Sequence, residues 1–265
     1  MPKIKCNSIN LFYEEFGQGE PLIFISGFTA DHNVWMLVNQ LFSQTHRVIL
    51  FDNRGVGQSD VPDLPYTIEM MAEDTIRLCD ALDIKKAIFI GNSMGGSIAQ
   101  TLCHYYPDRV KAAVLSNTFI KIAAHYVLNA SGWINLMKSN APLEDIQKVR
   151  YALSFSSHFI EGDTFKLLFK TALNNPYPLT ERGARQQFHA LTHFDSSNWL
   201  QQIKTPCLVL GSDEDIICLP HKVNEITQQI PYARFHQFTQ CGHLPLVEHP
   251  EEFHQVIMKF LNSIT

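Results

Sequence analysis

The sequence has no excess of charge of one sign, no long apolar run and no closely spaced cysteine pair. Its net charge is −5, and its lysines and arginines are scattered, so no basic patch is predicted to bind nucleic acid. No apolar run reaches the length of a membrane span, and the first residues contain no apolar core of a signal peptide. We therefore expect a chain without a membrane span.

The cysteines are too widely separated to indicate a disulfide framework or a zinc site. No C-x-x-C pair occurs, so we expect reduced core residues and a cytoplasmic location. The glycine-rich turns also lack the spacing of a phosphate-binding loop, and no metal or organic cofactor is predicted. The six cysteines are Cys6, Cys79, Cys103, Cys207, Cys218 and Cys241.

Short apolar runs alternate with longer helical patterns along most of the chain. This alternation predicts an α/β fold, with a parallel sheet covered by helices on both faces. The alternation stops between about 120 and 200, where aromatic residues and helical patterns dominate. We expect a core of residues 1–119 and 201–265 with a helical lid at 120–200. The predicted strands are 21–27, 47–52, 86–91, 110–117, 206–211 and 233–238.

A serine stands between a predicted strand and a predicted helix, in the stretch Gly91-Asn92-Ser93-Met94-Gly95. So short a junction forces its central residue into a strained conformation and requires small neighbours. It also exposes the Ser93 hydroxyl at the end of the sheet, with the Met94 N–H directed outward at a helix N-terminus. This pattern is typical of a nucleophile elbow, in which Ser93 is the nucleophile and Met94 an oxyanion donor.

A serine hydroxyl needs a base to activate it, and the base needs a carboxylate to orient it. On this fold the chain order is serine, acid, histidine. Among the twelve histidines, His243 alone follows a glycine at the carboxyl end of a predicted strand. The acid is expected after the strand at 206–211, where Asp213, Glu214 and Asp215 are all candidates.

The chain resembles the α/β-hydrolases, in particular the small cofactor-independent esterases and lactonases. That group includes 3-oxoadipate enol-lactonase and the pimeloyl-carrier-protein methyl ester esterases. The resemblance extends over nearly the whole chain and implies a mostly parallel central sheet flanked by helices, with a helical lid. The stretches that carry it are FISGFTADHNVW, FDNRGVGQSD, GNSMGG, NPYPLT with Gln187 after it, PCLVLGSDED and CGHLPLVEHPEEF.

The resemblance implies a catalytic triad of Ser93, Asp215 and His243, although the acid loop is one residue longer than usual and Asp213 remains a rival. It also implies a second oxyanion donor, the backbone N–H of Phe28. The family commonly has His-Gly before this position, whereas this chain has Ser26 and a glycine. A structural turn is implied for Asp52, Arg54, Gly55 and Gly57.

The predicted function is hydrolysis of a carboxylic ester or lactone with a small to medium acyl group, through an acyl-serine intermediate. Three alternatives remain open: a hydrolase of carbon–carbon bonds in meta-cleavage products, a cofactor-free perhydrolase, and a lidded ligand-binding receptor. Basic lid residues leave an acidic substrate or an acyl carrier protein as further partners. The predicted substrate-binding aromatics are Trp133, Phe155, Phe159 and Phe188.

Overall fold

The computed structural model describes residues 3–6 and 8–264, and its centre is an eight-stranded sheet. The order across the sheet is β1-β2-β4-β3-β5-β6-β7-β8. The strands from β3 to β8 run parallel, whereas β1 and β2 pair antiparallel at one edge. The strands are β1 Lys3–Cys6, β2 Ile9–Phe16, β3 Glu20–Ile25, β4 His46–Phe51, β5 Ala87–Asn92, β6 Val110–Ser116, β7 Cys207–Ser212 and β8 Ala233–Phe238.

The predicted α/β-hydrolase fold with a mostly parallel sheet is confirmed, and each of the six predicted strands is present. The apolar pattern of the sequence did not predict the antiparallel strands β1 and β2. In β2 the burial alternates irregularly, and its last four residues are partly or fully exposed. A strand so near the edge of the sheet is buried on one face only and does not produce the continuous apolar run that marks a central strand.

Helices cover both faces of the sheet because successive strand residues point to opposite sides. In β3, Leu22 and Phe24 pack with one apolar cluster, while Ile23 and Ile25 pack with the other. Because both faces of such a strand pack against apolar residues, the strand is an uninterrupted apolar run in the sequence. The flanking helices are α1 Met36–Phe42, α2 Ile68–Ala81, α3 Met94–Tyr105, α9 Pro220–Gln229, α10 Pro245–Glu248 and α11 Pro250–Asn262.

Five helices lie between β6 and β7, within the range predicted to form a lid. The segment leaves and rejoins the core where Lys121 and Asp195 form a β-bridge and a 3.1 Å ion pair. Side-chain caps begin two of its helices, since Ser156 and Thr180 accept hydrogen bonds from backbone N–H groups of α6 and α8. The helices are α4 Ala124–Lys138, α5 Leu143–Ser154, α6 Ser157–Glu161, α7 Asp163–Leu173 and α8 Glu181–His193.

Two expectations about the whole chain can be compared with the structure. Across residues 3–6 and 8–264, none of the helices is long and apolar enough to cross a membrane. All six cysteines are buried, and none forms a disulfide.

Candidate active site

Ser93 occupies the turn that joins β5 to α3, and its backbone is strained. Its φ of 57° and ψ of −120° lie where residues other than glycine are rare. Two glycines make the turn possible through close contacts. A Cβ on Gly91 would overlap the carbonyl oxygen of Gly95, and one on Gly95 would overlap that of Ile25. The sequence therefore places small residues where strand, turn and helix backbones touch.

The strained conformation of Ser93 is held by hydrogen bonds to the end of β6 and to the loop that follows it. The Ser93 N–H donates to the carbonyl oxygen of Ser116 at 2.9 Å, and Thr118 Oγ1 donates to the Ser93 carbonyl at 2.7 Å. Both partners are fully buried. Because these contacts use only the Ser93 backbone, its side-chain hydroxyl stays available to the adjacent cavity.

His243 and Asp215 form a buried pair on the two loops that follow β8 and β7. The His243 Nδ1–H donates to Asp215 Oδ2 at 2.8 Å, and the two side chains are 6% and 0% exposed. Three further donors hold the carboxylate: the backbone N–H groups of Ile217 and Cys218 at 2.8 and 2.9 Å, and Asn117 Nδ2 at 2.8 Å. The carboxylate can therefore fix the orientation of the imidazole ring.

The rival acids in the same loop take other positions. Asp213 is exposed, and its Oδ1 accepts a hydrogen bond from the Cys241 N–H at 3.2 Å. Glu214 is also exposed. Of the three candidates, only Asp215 has a hydrogen bond to His243 among the described residues.

The predicted oxyanion donors lie on two segments next to Ser93: Met94 follows it in the chain, and a Cβ on Gly27, the residue before Phe28, would lie 3.0 Å from Ser93 Cβ. Within the described part of the chain, neither the Phe28 N–H nor the Met94 N–H has a hydrogen-bond acceptor. The Phe28 loop is anchored by Ser26, whose hydroxyl accepts from Trp35 Nε1 at 3.0 Å and donates to the Asp31 carbonyl at 3.2 Å. The serine that replaces the common histidine thus stabilises the loop through its own hydrogen bonds.

A cavity of about 800 Å³ lies between the sheet and the inserted helices. Ser93 and His243 line it together with Trp133 and Phe155, two of the four predicted substrate-binding aromatics. The other two are not among its lining residues. Phe159 stacks on Phe155 with ring centroids 5.0 Å apart, and Phe188 packs 6.3 Å from Phe28. These two rings therefore support the wall from behind.

The predicted structural turn after β4 has the contacts of a scaffold. Asp52 accepts hydrogen bonds at 2.8 Å from the backbone N–H groups of His32 and Gln58, and it is fully buried. Arg54 forms a two-pronged ion pair with Asp74. Gly57 has a φ of 55°, and a Cβ there would overlap the Asp52 carboxylate.

Two supporting residues were not assigned a role from the sequence. Gln187, which is fully buried, accepts from the Thr29 N–H and donates to the Arg54 carbonyl, each at 2.8 Å. Gln187 therefore fixes Thr29, the residue after Phe28, whose own φ is 62°. The sequence placed Gln187 beside a family motif, but nothing in its spacing showed which loop it contacts.

The second missed residue is Glu248, which joins the His243 loop to the inserted helices. Its carboxylate accepts from the Gly242 N–H at 3.0 Å and from Ser156 Oγ at 2.5 Å. Burial raises the pKa of Glu248, although these hydrogen bonds oppose the rise. Only the folded structure brings these partners together, since 92 residues separate Ser156 from Glu248.

Asp215, Cys218 and His243 place potential metal-ligand atoms within 4.8 Å of one another. Both carboxylate oxygens of Asp215 already accept hydrogen bonds. Burial raises the pKa of the Cys218 thiol well above its usual range, and metals bind the thiolate form. The contacts therefore fit an oriented imidazole better than a metal site.

The eight-stranded sheet, the serine on a strained strand–helix turn and the buried histidine–carboxylate pair define the architecture of an α/β-hydrolase. Residues 20–250 match the family model described as the alpha/beta hydrolase fold. The chain belongs to this family and is an enzyme of the α/β-hydrolase superfamily.

Three relatives illustrate how widely the similarity extends. BpoC of Mycobacterium tuberculosis, which carries the name of a non-heme bromoperoxidase, is 29% identical over 261 residues, covering 97% of this chain and 99% of the relative. 3-Oxoadipate enol-lactonase 2 of Acinetobacter baylyi is 27% identical over 264 residues, covering 98% of this chain and 97% of the relative. The crystal structure of an enol-lactonase from Burkholderia xenovorans superposes with a TM-score of 0.91 at 24% identity, covering 98% and 100%.

Proposed function

We propose that this enzyme hydrolyses carboxylic esters or lactones through an acyl-serine intermediate, with Ser93, His243 and Asp215 as its triad. The observation that carries the proposal is the 2.8 Å hydrogen bond between His243 and the fully buried Asp215 at a cavity that Ser93 also lines. Similarity to an enol-lactonase over almost the full chain supports the ester and lactone class.

The geometry suggests a role for each group. The proton on His243 Nδ1 is engaged by Asp215, so Nε2 is the nitrogen that can accept the Ser93 proton as Oγ attacks the substrate carbonyl. The developing oxyanion would be stabilised by the N–H groups of Phe28 and Met94. His243 then returns the proton to the leaving oxygen, and water cleaves the acyl-serine in the second half of the reaction.

We also propose that residues 120–200 act as a lid and restrict the substrate to small or medium acyl groups. The cavity of about 800 Å³ is bounded by Trp133 and Phe155 from the inserted helices. Each methylene buried there stabilises the bound acyl chain by about 0.8 kcal/mol, until the chain exceeds the available length. The similarity to an enol-lactonase gives no support for an acyl carrier protein as a partner.

A perhydrolase is the second candidate, favoured by the similarity to BpoC. In this reaction hydrogen peroxide replaces water as the acceptor of the acyl group from Ser93. Peroxide-dependent halogenation that exceeds ester hydrolysis would favour this candidate.

The test is a panel of p-nitrophenyl esters of increasing acyl length together with simple lactones, measured on the wild-type enzyme and on Ser93→Ala. We expect kcat/KM to rise over the short acyl chains and to fall sharply beyond medium length. Ser93→Ala should lower it by several orders of magnitude, as loss of a triad nucleophile does. Turnover that is unchanged in Ser93→Ala would refute the proposal.

A further inference from the structure

Two basic side chains line the cavity, Arg150 and Lys170; Lys170 is exposed, whereas Arg150 is only partly exposed. Arg150 lies on α5, and among the residues that the structure describes no aspartate or glutamate oxygen forms an ion pair with it. Its hydrogen bonds go to neutral oxygens instead: Nη1 donates to Gln147 Oε1 at 2.8 Å and Nη2 donates to Thr29 Oγ1 at 2.5 Å. A guanidinium has more N–H donors than these two acceptors use, so it can bind a further anion.

The surroundings hold Arg150 in the wall rather than in bulk water. Its Cζ lies 5.3 Å from the centre of the Trp133 ring, within the range of a cation–π contact. Burial lowers the pKa of Arg150, while Tyr151, Tyr126 and Asp31 act in the opposite direction. An arginine nevertheless stays protonated, so a positive charge faces this cavity.

The acidic residue that lines the same cavity is already engaged. Asp31 Oδ1 accepts from the Asn33 N–H at 3.0 Å, and Oδ2 accepts from Asn175 Nδ2 at 2.7 Å. Arg150 is partly exposed, so its charge is only partly removed from water, and a charge in such a position is usually paired or used to bind a ligand.

A second observation indicates that the same wall receives a polar ligand. Asn129 lies one helical turn before Trp133 on α4, and both line the cavity. Its Oδ1 is buried and has no hydrogen-bond partner in the described chain. A buried acceptor of this kind is expected to be satisfied by a donor, here a hydroxyl or N–H of the bound molecule.

Arg150 is also close to the reaction centre. Thr29, which accepts its hydrogen bond, directly follows Phe28, and Thr29 Oγ1 in turn donates to the Phe28 carbonyl at 2.6 Å. A group bound by Arg150 would therefore lie next to the loop that carries the proposed oxyanion donor, the Phe28 N–H.

We propose that Arg150 binds a carboxylate of the substrate, so that the preferred substrates are esters or lactones that carry a second, ionised carboxyl group. This inference rests on the proposed ester hydrolysis and specifies its substrate class. A bidentate pair between a guanidinium and a carboxylate is the interaction for which arginine geometry is best suited.

The experiment compares two pairs of matched substrates. In the first, the p-nitrophenyl half-ester of hexanedioic acid is compared with the neutral compound in which an amide replaces the free acid. In the second, the charge lies in the leaving group, and the butyrate of meta-hydroxybenzoic acid is compared with that of meta-hydroxybenzamide. The ratio of kcat/KM for acid and amide is measured in the wild-type enzyme, Arg150→Gln, Arg150→Lys and Lys148→Gln.

We expect the wild-type enzyme to prefer the acid in at least one pair, and Arg150→Gln to lower the ratio of that pair roughly 10- to 100-fold, the usual effect of a charge-assisted hydrogen bond. Arg150→Lys should retain part of the preference. Lys148→Gln removes the same charge from an exposed site on the same helix, where Lys148 pairs with Glu144 at 2.8 Å, and it should leave the ratio unchanged. Product inhibition gives a check on the wild-type enzyme alone, because hexanedioate should inhibit more strongly than the monoamide of hexanedioic acid, which is the product of the amide ester.

Three results would overturn this inference. The first is that the wild-type enzyme shows no preference for the acid in either pair. The second is that the preference survives in Arg150→Gln. The third is that Arg150→Gln lowers kcat/KM equally for acid and amide. The last result would mean that Arg150 only positions the Thr29 loop. Failure of the parent proposal is distinguishable, because then neither acid nor amide esters would show turnover that depends on Ser93.

Discussion

Replacement of Asp215 by asparagine removes one charge and changes little in shape, and the structure indicates how severe the change should be. The two carboxylate oxygens accept from Ile217 and Cys218 on one side and from Asn117 and His243 on the other. An asparagine has one oxygen and one NH₂ group for these positions. If the oxygen faces the two backbone N–H groups, the NH₂ group faces His243 Nδ1.

His243 would then have to accept at Nδ1 and carry its proton on Nε2, the wrong tautomer for a base that receives a proton from Ser93. The same change elsewhere lowers kcat by roughly 10⁴, which corresponds to about 5.4 kcal/mol. We expect an effect of this size in Asp215→Asn. The side chain of Asn117 would also lose an acceptor, which should lower the free energy of unfolding by about 1–3 kcal/mol.

The assay is kcat/KM for the best ester of the panel, together with urea unfolding to show that the variant is folded under assay conditions. Asp213→Asn is the matched control, because Asp213 is exposed in the same loop and should stay within about tenfold of wild type. A folded Asp215→Asn with nearly full activity, or a larger loss in Asp213→Asn, would refute the assignment of the acid.

Three further predictions concern the scaffold. Gly95→Ala should lower the free energy of unfolding, measured by urea titration, by several kcal/mol, because the new Cβ overlaps the backbone of Ile25. Gly132→Ala is the control: its Cβ would have no atom within 4 Å, and the substitution should raise the free energy of unfolding by about 0.5–1 kcal/mol. Gln187→Leu should lower kcat/KM for acid and neutral esters equally, and a selective loss for acids would contradict its positioning role. Burial lowers the pKa of His32, but the hydrogen bond and charge of Asp52 act more strongly, and the pKa lies above its usual value of 6.5. Protonated His32 therefore stabilises the folded protein below pH 6.5, and this stabilisation is lost as the pH rises through the raised pKa. The difference in unfolding free energy between wild type and His32→Gln should therefore shrink as pH rises; a constant difference would contradict it.

The sequence predicts the central sheet well because a strand buried on both faces requires an unbroken apolar run. It predicts the conformation around Ser93 for a similar local reason, since a short strand–helix junction restricts which residues fit. His243 could be selected because the order of the elements places it at the carboxyl end of β8.

Choices that depend on contacts between distant segments could not be made from the sequence. Asp213 and Asp215 have similar neighbours in the sequence, and only the fold distinguishes them, because it buries Asp215 against His243 and leaves Asp213 exposed. Arg150 is one of several basic residues in the inserted helices, and its pattern does not differ from that of Lys148, which forms surface ion pairs. Phe159 and Phe188 illustrate the same limit, because periodicity does not distinguish the lining of a cavity from its second layer.

The most direct test of the central claim is covalent labelling with a fluorophosphonate, followed by intact-mass measurement and peptide mapping. The proposed triad predicts one adduct, located on Ser93, that forms slowly or not at all in His243→Ala because the hydroxyl then lacks its base. No adduct on wild-type protein, or an adduct at another residue with Ser93 unmodified, would contradict the account.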